Sequence, residues 1–405
     1  MTDPKSQPDF DLLIVGGGMV GSALACAMAD AGFDVCIVDL REPARNWPQQ
    51  EVDLRVSALT RASQRILENL KAWPRMTEMR VSPYSKMEVW DAGGNGRIRF
   101  SAAEIGEIDL GHIVENRVTQ LALWERLESY PNVRISFPER VSSLNLSQVP
   151  EVVLQSGERL TAKLIVAADG RDSEVRHLAD IATKGWDYDQ HAIVATIKPE
   201  RFHQHTAMQR FMSSGPLALL PIDDGRCSIV WSTSPTQAEV LMALDDADFC
   251  EELTQASESV LGDILEVGPR GIFPLRLEHA ETYIQPGLAL IGDAAHAMHP
   301  LAGQGVNLGL MDAMTLVDVL TDARRAGRPI GSMSTLRRYE RARKGANIAM
   351  LGAMDGFKRL FSNEVPPLKL LRNLGLNLAD RSGFLKQQLI RRALGVIGDR
   401  PRLAR

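Results

Sequence analysis

Cysteine is scarce in this chain. There are four in 405 residues, Cys26, Cys36, Cys227 and Cys250, and no two form a C-x-x-C pair. This spacing argues against a disulfide framework or a thiolate metal site and suits a reducing compartment. Long apolar runs are also missing: no stretch of 18 apolar residues occurs, so no segment is expected to span a bilayer. The first nine residues lack the basic and apolar regions of a signal peptide. There is no internal repeat or low-complexity tract. Positive charge is not in excess either, because 46 Lys and Arg stand against 51 Asp and Glu. The net of −5 gives no case for nucleic-acid binding. At 44% hydrophobic and 24% charged, the composition is that of a globular protein large enough for two or three domains.

Charge is unevenly placed. Residues 358–405 carry 11 Lys/Arg and 3 Asp/Glu. Within them Leu368, Leu371, Leu374 and Leu378 fall at helical spacing, as do Leu385, Leu389, Ala393 and Ile397. Arg381, Lys386, Arg391 and Arg392 are interleaved with these stripes. Two outcomes are open for such a tail. Its apolar stripe packs on the body and leaves a solvated basic face, or the tail lies on an anionic membrane or a partner. The expected location is cytoplasmic, extending to the inner face of the membrane in the second case.

The most informative stretch is near the N-terminus. A buried strand, Leu12 to Val15, leads into Gly16-x-Gly18-x-x-Gly21, an Ala-rich helix over Ser22 to Ala31, and a second strand, Val35 to Val38, ending on Asp39. This is the strand–turn–helix–strand context of a dinucleotide loop. Gly16 permits a tight turn, Gly18 lets the backbone approach a pyrophosphate, and Gly21 lets helix and strand pack closely. The helix N-terminus favours phosphate, and Asp39 can accept from a ribose hydroxyl.

Two later strands also end on acidic residues. Leu164 to Ala168 runs into Asp169-Gly170, and Leu288 to Ile291 runs into Gly292-Asp293-Ala-Ala-His296-Ala-Met-His299-Pro300-Leu-Ala-Gly303-Gln304-Gly305-Val-Asn307. Open α/β sheets bind ligands beyond the carboxyl ends of their strands. His296 and His299 are acid/base candidates, and the His-x-x-His spacing lacks the further partner a metal site requires. Between these segments lie a hairpin (Lys86 to Asp91, Arg97 to Phe100) and strands at Ala192 to Ile197, Ala207 to Met212, Leu217 to Ile222, Cys227 to Thr233 and Gly271 to Leu275. Helices are expected at Arg61 to Leu70, Val118 to Leu127, Ala247 to Val260 and Val306 to Leu320. The fold class is therefore α/β: a Rossmann-like nucleotide domain, an inserted, mostly antiparallel sheet domain and a helical C-terminal tail. The expected boundaries are 1–80, 111–185 and 278–324 for the first, 81–110 and 186–277 for the second, and 325–405 for the tail.

Together, in this order, Gly16-x-Gly18-x-x-Gly21, Asp169-Gly170 and Gly292-Asp293 resemble the class A flavoprotein aromatic hydroxylases. Leu54 to Ala58, Met87 to Asp91, Gly111 to Asn116, Trp186 to Tyr188, Cys227 to Trp231 and Arg372 to Asp380 extend the likeness, over nearly the whole chain, to the ubiquinone-biosynthesis hydroxylase family. Met87–Asp91 and Gly111–Asn116 look most like its 2-polyprenylphenol hydroxylases, and Pro366–Asp380 is similar to its demethoxyubiquinone hydroxylases, so the ring position stays open. The resemblance implies FAD as cofactor and a monooxygenase that hydroxylates a polyprenylated phenol or quinol through a C4a-hydroperoxyflavin. Its partners would be O2, NAD(P)H or another electron donor, and other ubiquinone-biosynthesis proteins. It also implies site roles. Gly16, Gly18, Gly21 and Asp39 would hold the ADP half, and Asp169 would touch the flavin nucleotide. Gly292 and Asp293 would hold the ribityl and pyrophosphate region, with His296 in the same motif. Pro300, Gly303, Gln304, Gly305 and Asn307 would face the isoalloxazine ring. Arg55 would reach the flavin or pyrophosphate; otherwise it is a surface residue capping the next helix. Two other classes remain: an FAD-dependent isoprenoid reductase and a non-catalytic flavin-binding subunit of a biosynthetic complex. A halogenase is disfavoured, since no two Trp lie two residues apart.

Overall fold

Leu12, Leu13 and Ile14 are consecutive and all fully buried, as a strand covered on both faces requires. They belong to the strand Phe10–Val15, which lies at the middle of the first sheet. The computed structural model describes residues 7–297, 305–361, 366–395 and 400–405. The spatial order of this sheet is Ile284–Gln285, Leu288–Leu290, Arg159–Ala167, Phe10–Val15, Val35–Val38, Val133–Ser136. All neighbours from Leu288–Leu290 onward run parallel. The helix Met19–Asp30 packs against Gly305–Arg325 and Asn116–Glu128. This is the Rossmann-like arrangement expected from the sequence. The carboxyl ends of three strands, at Val15, Ala167 and Leu290, come together at one edge of the core.

The second sheet is mostly antiparallel. Its order is His296–Ala297, Gly271–Ala280, Thr183–Pro199, Cys227–Thr233, Gly215–Pro221, Thr206–Met212, Lys86–Asp91, Arg97–Ser101. On one face Ile193, Ile197, Ile229, Trp231, Leu217 and Leu219 pack with Phe249 and Leu253 of the helix Asp246–Ala256 into a core of their own. The alternation of a strand then sends Ala192, Val194, Thr196, Ser228 and Val230 to the opposite face. That face turns toward the nucleotide side of the molecule.

Three elements depart from the expected pattern. Thr183–Pro199 is a 17-residue strand, because its polar first half pairs with Gly271–Ala280. A helix occupies Pro235–Ala243, with Ser234 accepting from the Gln237 N–H and Pro235 in its first turn. Val56–Leu59, Gly111–Glu115 and Ser82–Tyr84 form a small third sheet. Its Ala58 and Ile113 pack on Ala218 and Leu220, fastening the two large sheets together.

The tail is helical over Met333–Phe361, Pro366–Arg381 and Gly383–Ala393. It docks through apolar and polar side chains together: Phe361, Leu376 and Ala379 pack with Val89, Ile98 and Phe211, and Ile390 and Leu394 pack with Ala102 and Leu110. Asn373, Asn377 and Asp380 accept from the backbone N–H groups of Gly96, Arg97 and Arg99, which close an open strand edge. Arg372 is buried against Asp91, with Nε to Oδ2 at 2.7 Å. Leu374 and Leu378 are 58% and 68% exposed. A stripe packed on the body is therefore not found at these two positions. Ile397 lies outside the described residues.

Candidate functional site

A cleft of about 560 Å³ opens between the strand ends of the first sheet and the inner face of the second. Its nucleotide side begins at the glycine loop. Gly16 has φ +107°, and a Cβ there would lie 2.3 Å from the Ala168 carbonyl oxygen. A Cβ on Gly21 would lie 1.9 Å from the Gly16 oxygen. Both glycines are therefore needed by the fold itself. Gly18 differs: a Cβ there would meet no described atom within 4 Å, and it would point into open space. The helix Met19–Asp30 begins at Gly18 with no side chain capping it. Its first N–H groups and the positive end of its dipole are left for a ligand, and Gly18, Met19 and Val20 line the cleft. An open cradle at an uncapped helix N-terminus fits a pyrophosphate.

The Asp39 carboxylate accepts from the Gly17 N–H and, at 2.8 Å, from the Arg41 N–H. It ties the loop to the end of the second strand. A carboxylate has about four lone-pair positions, so acceptors remain for a ribose hydroxyl. Ser22 and Gln120 hold the Gly17 carbonyl at 2.9 and 3.2 Å, support that the sequence did not reveal.

Arg55 is exposed to the cleft, with its guanidinium carbon 5.2 Å from the centre of the Phe273 ring. It does not cap the following helix: Thr60 does, accepting from the Ser63 N–H. Arg55 thus crosses from the nucleotide side to the second sheet.

The turn after Leu288–Leu290 puts Gly292 at φ +58°, and Asp293 opens into the cleft. Its carboxyl is pushed up by the enclosing protein, and His296, Arg171 and Arg55 partly offset this. Gly305 lines the same space.

Three of the expected ligand contacts also have partners within the protein. Asp169 accepts from the Ser173 hydroxyl and, at 3.2 Å, from the Val175 N–H, so it holds the start of the short helix Glu174–Leu178. Burial raises its pKa, against the hydrogen bond from Ser173. Asn307 is buried; it accepts from Thr60 N–H and Ser63 Oγ and donates to the Ala58 carbonyl at 2.8 Å. It joins the helix Gly305–Arg325 to the small sheet. His296 is buried beneath the cleft, with Nε2 on Asp312 Oδ2. His299, Pro300, Gly303 and Gln304 lie outside the described residues.

Asp312 was not singled out in the sequence, yet the site depends on it. It is fully buried and accepts from Gly292 N–H at 3.2 Å, from His296, from Arg343 Nε at 2.7 Å and from Asn347 Nδ2 at 3.1 Å. Burial alone would raise its pKa, but His296 and Arg343 outweigh this and hold it well below the usual carboxylate range. One fixed negative charge thereby pins the Gly292 turn that presents Asp293. A lone acid among the buried residues of a helix was the one signal available.

The far wall comes from the second sheet: Ala192, Val194, Ser228, Val230, Phe273 and Leu275. No described side chain on it is titratable. A nucleotide cradle thus faces a nearly apolar slot, suited to holding a flat apolar molecule beside a dinucleotide and excluding water.

Comparison with known proteins agrees with this geometry. A family described as "FAD binding domain" matches residues 9–351. The chain is 41% identical to the 3-demethoxyubiquinol 3-hydroxylase of Escherichia coli, over 95% of this chain and 98% of that one. It is 38% identical to the ubiquinone hydroxylase UbiL of Rhodospirillum rubrum, over 98% and 92% respectively. Among solved structures, the p-nitrophenol 4-monooxygenase PnpA of Pseudomonas putida superposes with a TM-score of 0.76 at 16% identity, covering 95% of this chain and 98% of that one. At that identity the last likeness speaks for the fold alone.

Proposed function

The chain belongs to the FAD-dependent hydroxylases of ubiquinone biosynthesis, and on that premise we propose that it hydroxylates the aromatic ring of a polyprenylated phenol or quinol. The observation that carries this reading is the shared cleft, with an uncapped glycine cradle on one side and an apolar wall on the other. When bound, FAD activates O2 for transfer to the ring, with reducing equivalents from NAD(P)H or another donor. The chain's own residues bind and orient. The loop at Gly16, Gly18 and Gly21 would take the pyrophosphate, with Asp39 on the ribose. Arg55 and Asp293 would bracket the middle of the cofactor. The wall from Ala192 to Leu275 would hold the ring flat and dry.

Of the two ring positions the sequence leaves open, the activity for which the Escherichia coli relative is named supports the demethoxyubiquinol one. The test is deletion of the gene in its own host, followed by mass identification of the accumulated lipid. A demethoxy intermediate is the expected result. An earlier intermediate lacking a different hydroxyl would move the assignment to another ring carbon, and undiminished ubiquinone would overturn the proposal.

We further propose that the tail rests on the bilayer that dissolves such a substrate. No described helix is long and apolar enough to cross a membrane. The support is the exposed pair Leu374 and Leu378, in a tail segment of strong positive charge. Arg372 and Lys386 are spent inside, on Asp91 and on Glu104 and Asp380, so Leu374 and Leu378 should matter more than those cations. The double variant Leu374→Ser/Leu378→Ser should keep its thermal stability and lose most of its co-sedimentation with phosphatidylglycerol-containing vesicles. Unchanged co-sedimentation would reject the membrane role.

A further inference from the structure

The far wall of the cleft carries one polar side chain from the second sheet, Ser228, which is 1% exposed. Directly across the strand pair, in register with it, is Thr196. Cross-strand partners place their side chains on the same face, so the two hydroxyls stand side by side. Thr196 is itself 9% exposed, and its Oγ1 is buried with no hydrogen-bond partner among the described residues. The two hydroxyls are therefore not bonded to each other in this state. Around them the wall is Ala192, Val194, Val230 and Phe273. A buried hydroxyl left without a partner costs about 1–3 kcal/mol. Two adjacent hydroxyls in an apolar wall call for an explanation beyond packing, since Ala and Val would fill the same space.

We propose that Ser228, backed by Thr196, is the point at which the enzyme holds an oxygen substituent of the substrate ring, a phenolic hydroxyl or its methyl ether. This rests on the reading of an aromatic substrate given above. An oxygenated ring is a flat apolar slab with polar points at its rim, and this wall is an apolar plane with one polar point. A change of the Thr196 χ1 rotamer, which turns Oγ1 toward its cross-strand neighbour, would let it donate to Ser228 Oγ. The Ser228 O–H is then free to donate into the cleft, and its oxygen can still accept from a phenolic O–H. The pair thus suits a group that both donates and accepts. The nucleotide contacts come from other elements, namely the loop at Gly18, the Gly292–Asp293 turn and Arg55. Ser228 and Thr196 are accordingly specificity residues, and the cofactor does not depend on them.

The test uses the FAD-loaded enzyme and two probes: a short-chain prenylated 2-methoxyphenol, and the same molecule without ring oxygens. Binding is read from the perturbation of flavin absorbance. Ser228→Ala should weaken the oxygenated probe about tenfold, the loss of one buried hydrogen bond, and change the deoxy probe by less than about twofold. Thr196→Val, which preserves shape, should weaken the oxygenated probe about threefold, and Thr196→Ser should restore it. Flavin content should match wild type in all three. Equal weakening of both probes, no weakening of either, or loss of flavin from Ser228→Ala would overturn the assignment. If the wild-type enzyme bound neither probe, the aromatic-substrate reading itself would fall.

Discussion

Replacing Asp312 by alanine is expected to destabilise the folded protein by about 3–5 kcal/mol and to release FAD from what remains folded. The carboxylate is fully buried, and four donors converge on it from Gly292, His296, Arg343 and Asn347. Alanine leaves the Arg343 guanidinium buried with its counter-charge gone, the costly way to break an internal ion pair. It also frees the Gly292 N–H and with it the turn at φ +58° that aims Asp293 into the cleft. Two measurements separate these effects: the melting temperature of the apoprotein, and flavin retained after gel filtration. Arg343→Met alone should also destabilise. The double variant Asp312→Ala/Arg343→Met should lose less than the two single losses combined, with a coupling of about 0.5–3 kcal/mol. Strict additivity would show that the pair is not coupled. The pH dependence has a definite sign. The folded state holds Asp312 below the ordinary carboxylate pKa of 3.8. Its contribution is therefore fully present above that value and lost only as pH falls further toward the folded value. In Asp312→Ala this part of the acid sensitivity should disappear.

Why Asp312 was not visible in the sequence is instructive. Its partners stand 16, 20, 31 and 35 residues away, and no local pattern joins them. The glycine loop is the opposite case. Gly16, Gly18 and Gly21 answer to the geometry of a single turn, so six letters and the neighbouring strands were enough to place them. His296 and Asn307 show the middle ground. The motif lies in a segment beside the cleft, but which way a side chain turns depended on Asp312 and on the small sheet Val56–Leu59, Gly111–Glu115, Ser82–Tyr84. That sheet is built from pieces of three to five residues, too short for alternation to show. The tail makes the same point. Helical spacing groups Leu374 with Leu378, but the inward face, which carries Leu376 and Ala379, also had to meet the backbone N–H groups of Gly96, Arg97 and Arg99. Acceptors were required there, and Asn373, Asn377 and Asp380 supply them.

Gly18→Leu should weaken cofactor binding severely in a protein that still folds, while Gly16→Ala and Gly21→Ala should fail to fold. The three glycines share one motif but face different neighbours. At Gly16 the added carbon would sit 2.3 Å from a backbone oxygen, at a φ of +107° that L side chains rarely adopt. At Gly21 it would sit 1.9 Å from another backbone oxygen. Neither neighbour can give way without moving a strand. At Gly18 the φ is −68° and no described atom lies within 4 Å of an added Cβ, so a side chain can start there without backbone strain or a clash at its first carbon. Its folding cost is that of a poor N-cap residue, about 1 kcal/mol. The new side chain would instead occupy the space over the helix N-terminus where a pyrophosphate must approach. Each charge-assisted hydrogen bond lost there is worth about 1.5–3 kcal/mol. Losing two of them lowers FAD affinity by roughly 10² to 10⁴. Flavin titration of the apoprotein beside its thermal melt reads both quantities. A Gly18→Leu protein that melts normally and still takes up FAD with wild-type affinity would remove the glycine cradle from the cofactor site. An unfolded one would show that Gly18, like its two neighbours in the motif, is needed by the fold before it is needed by the ligand.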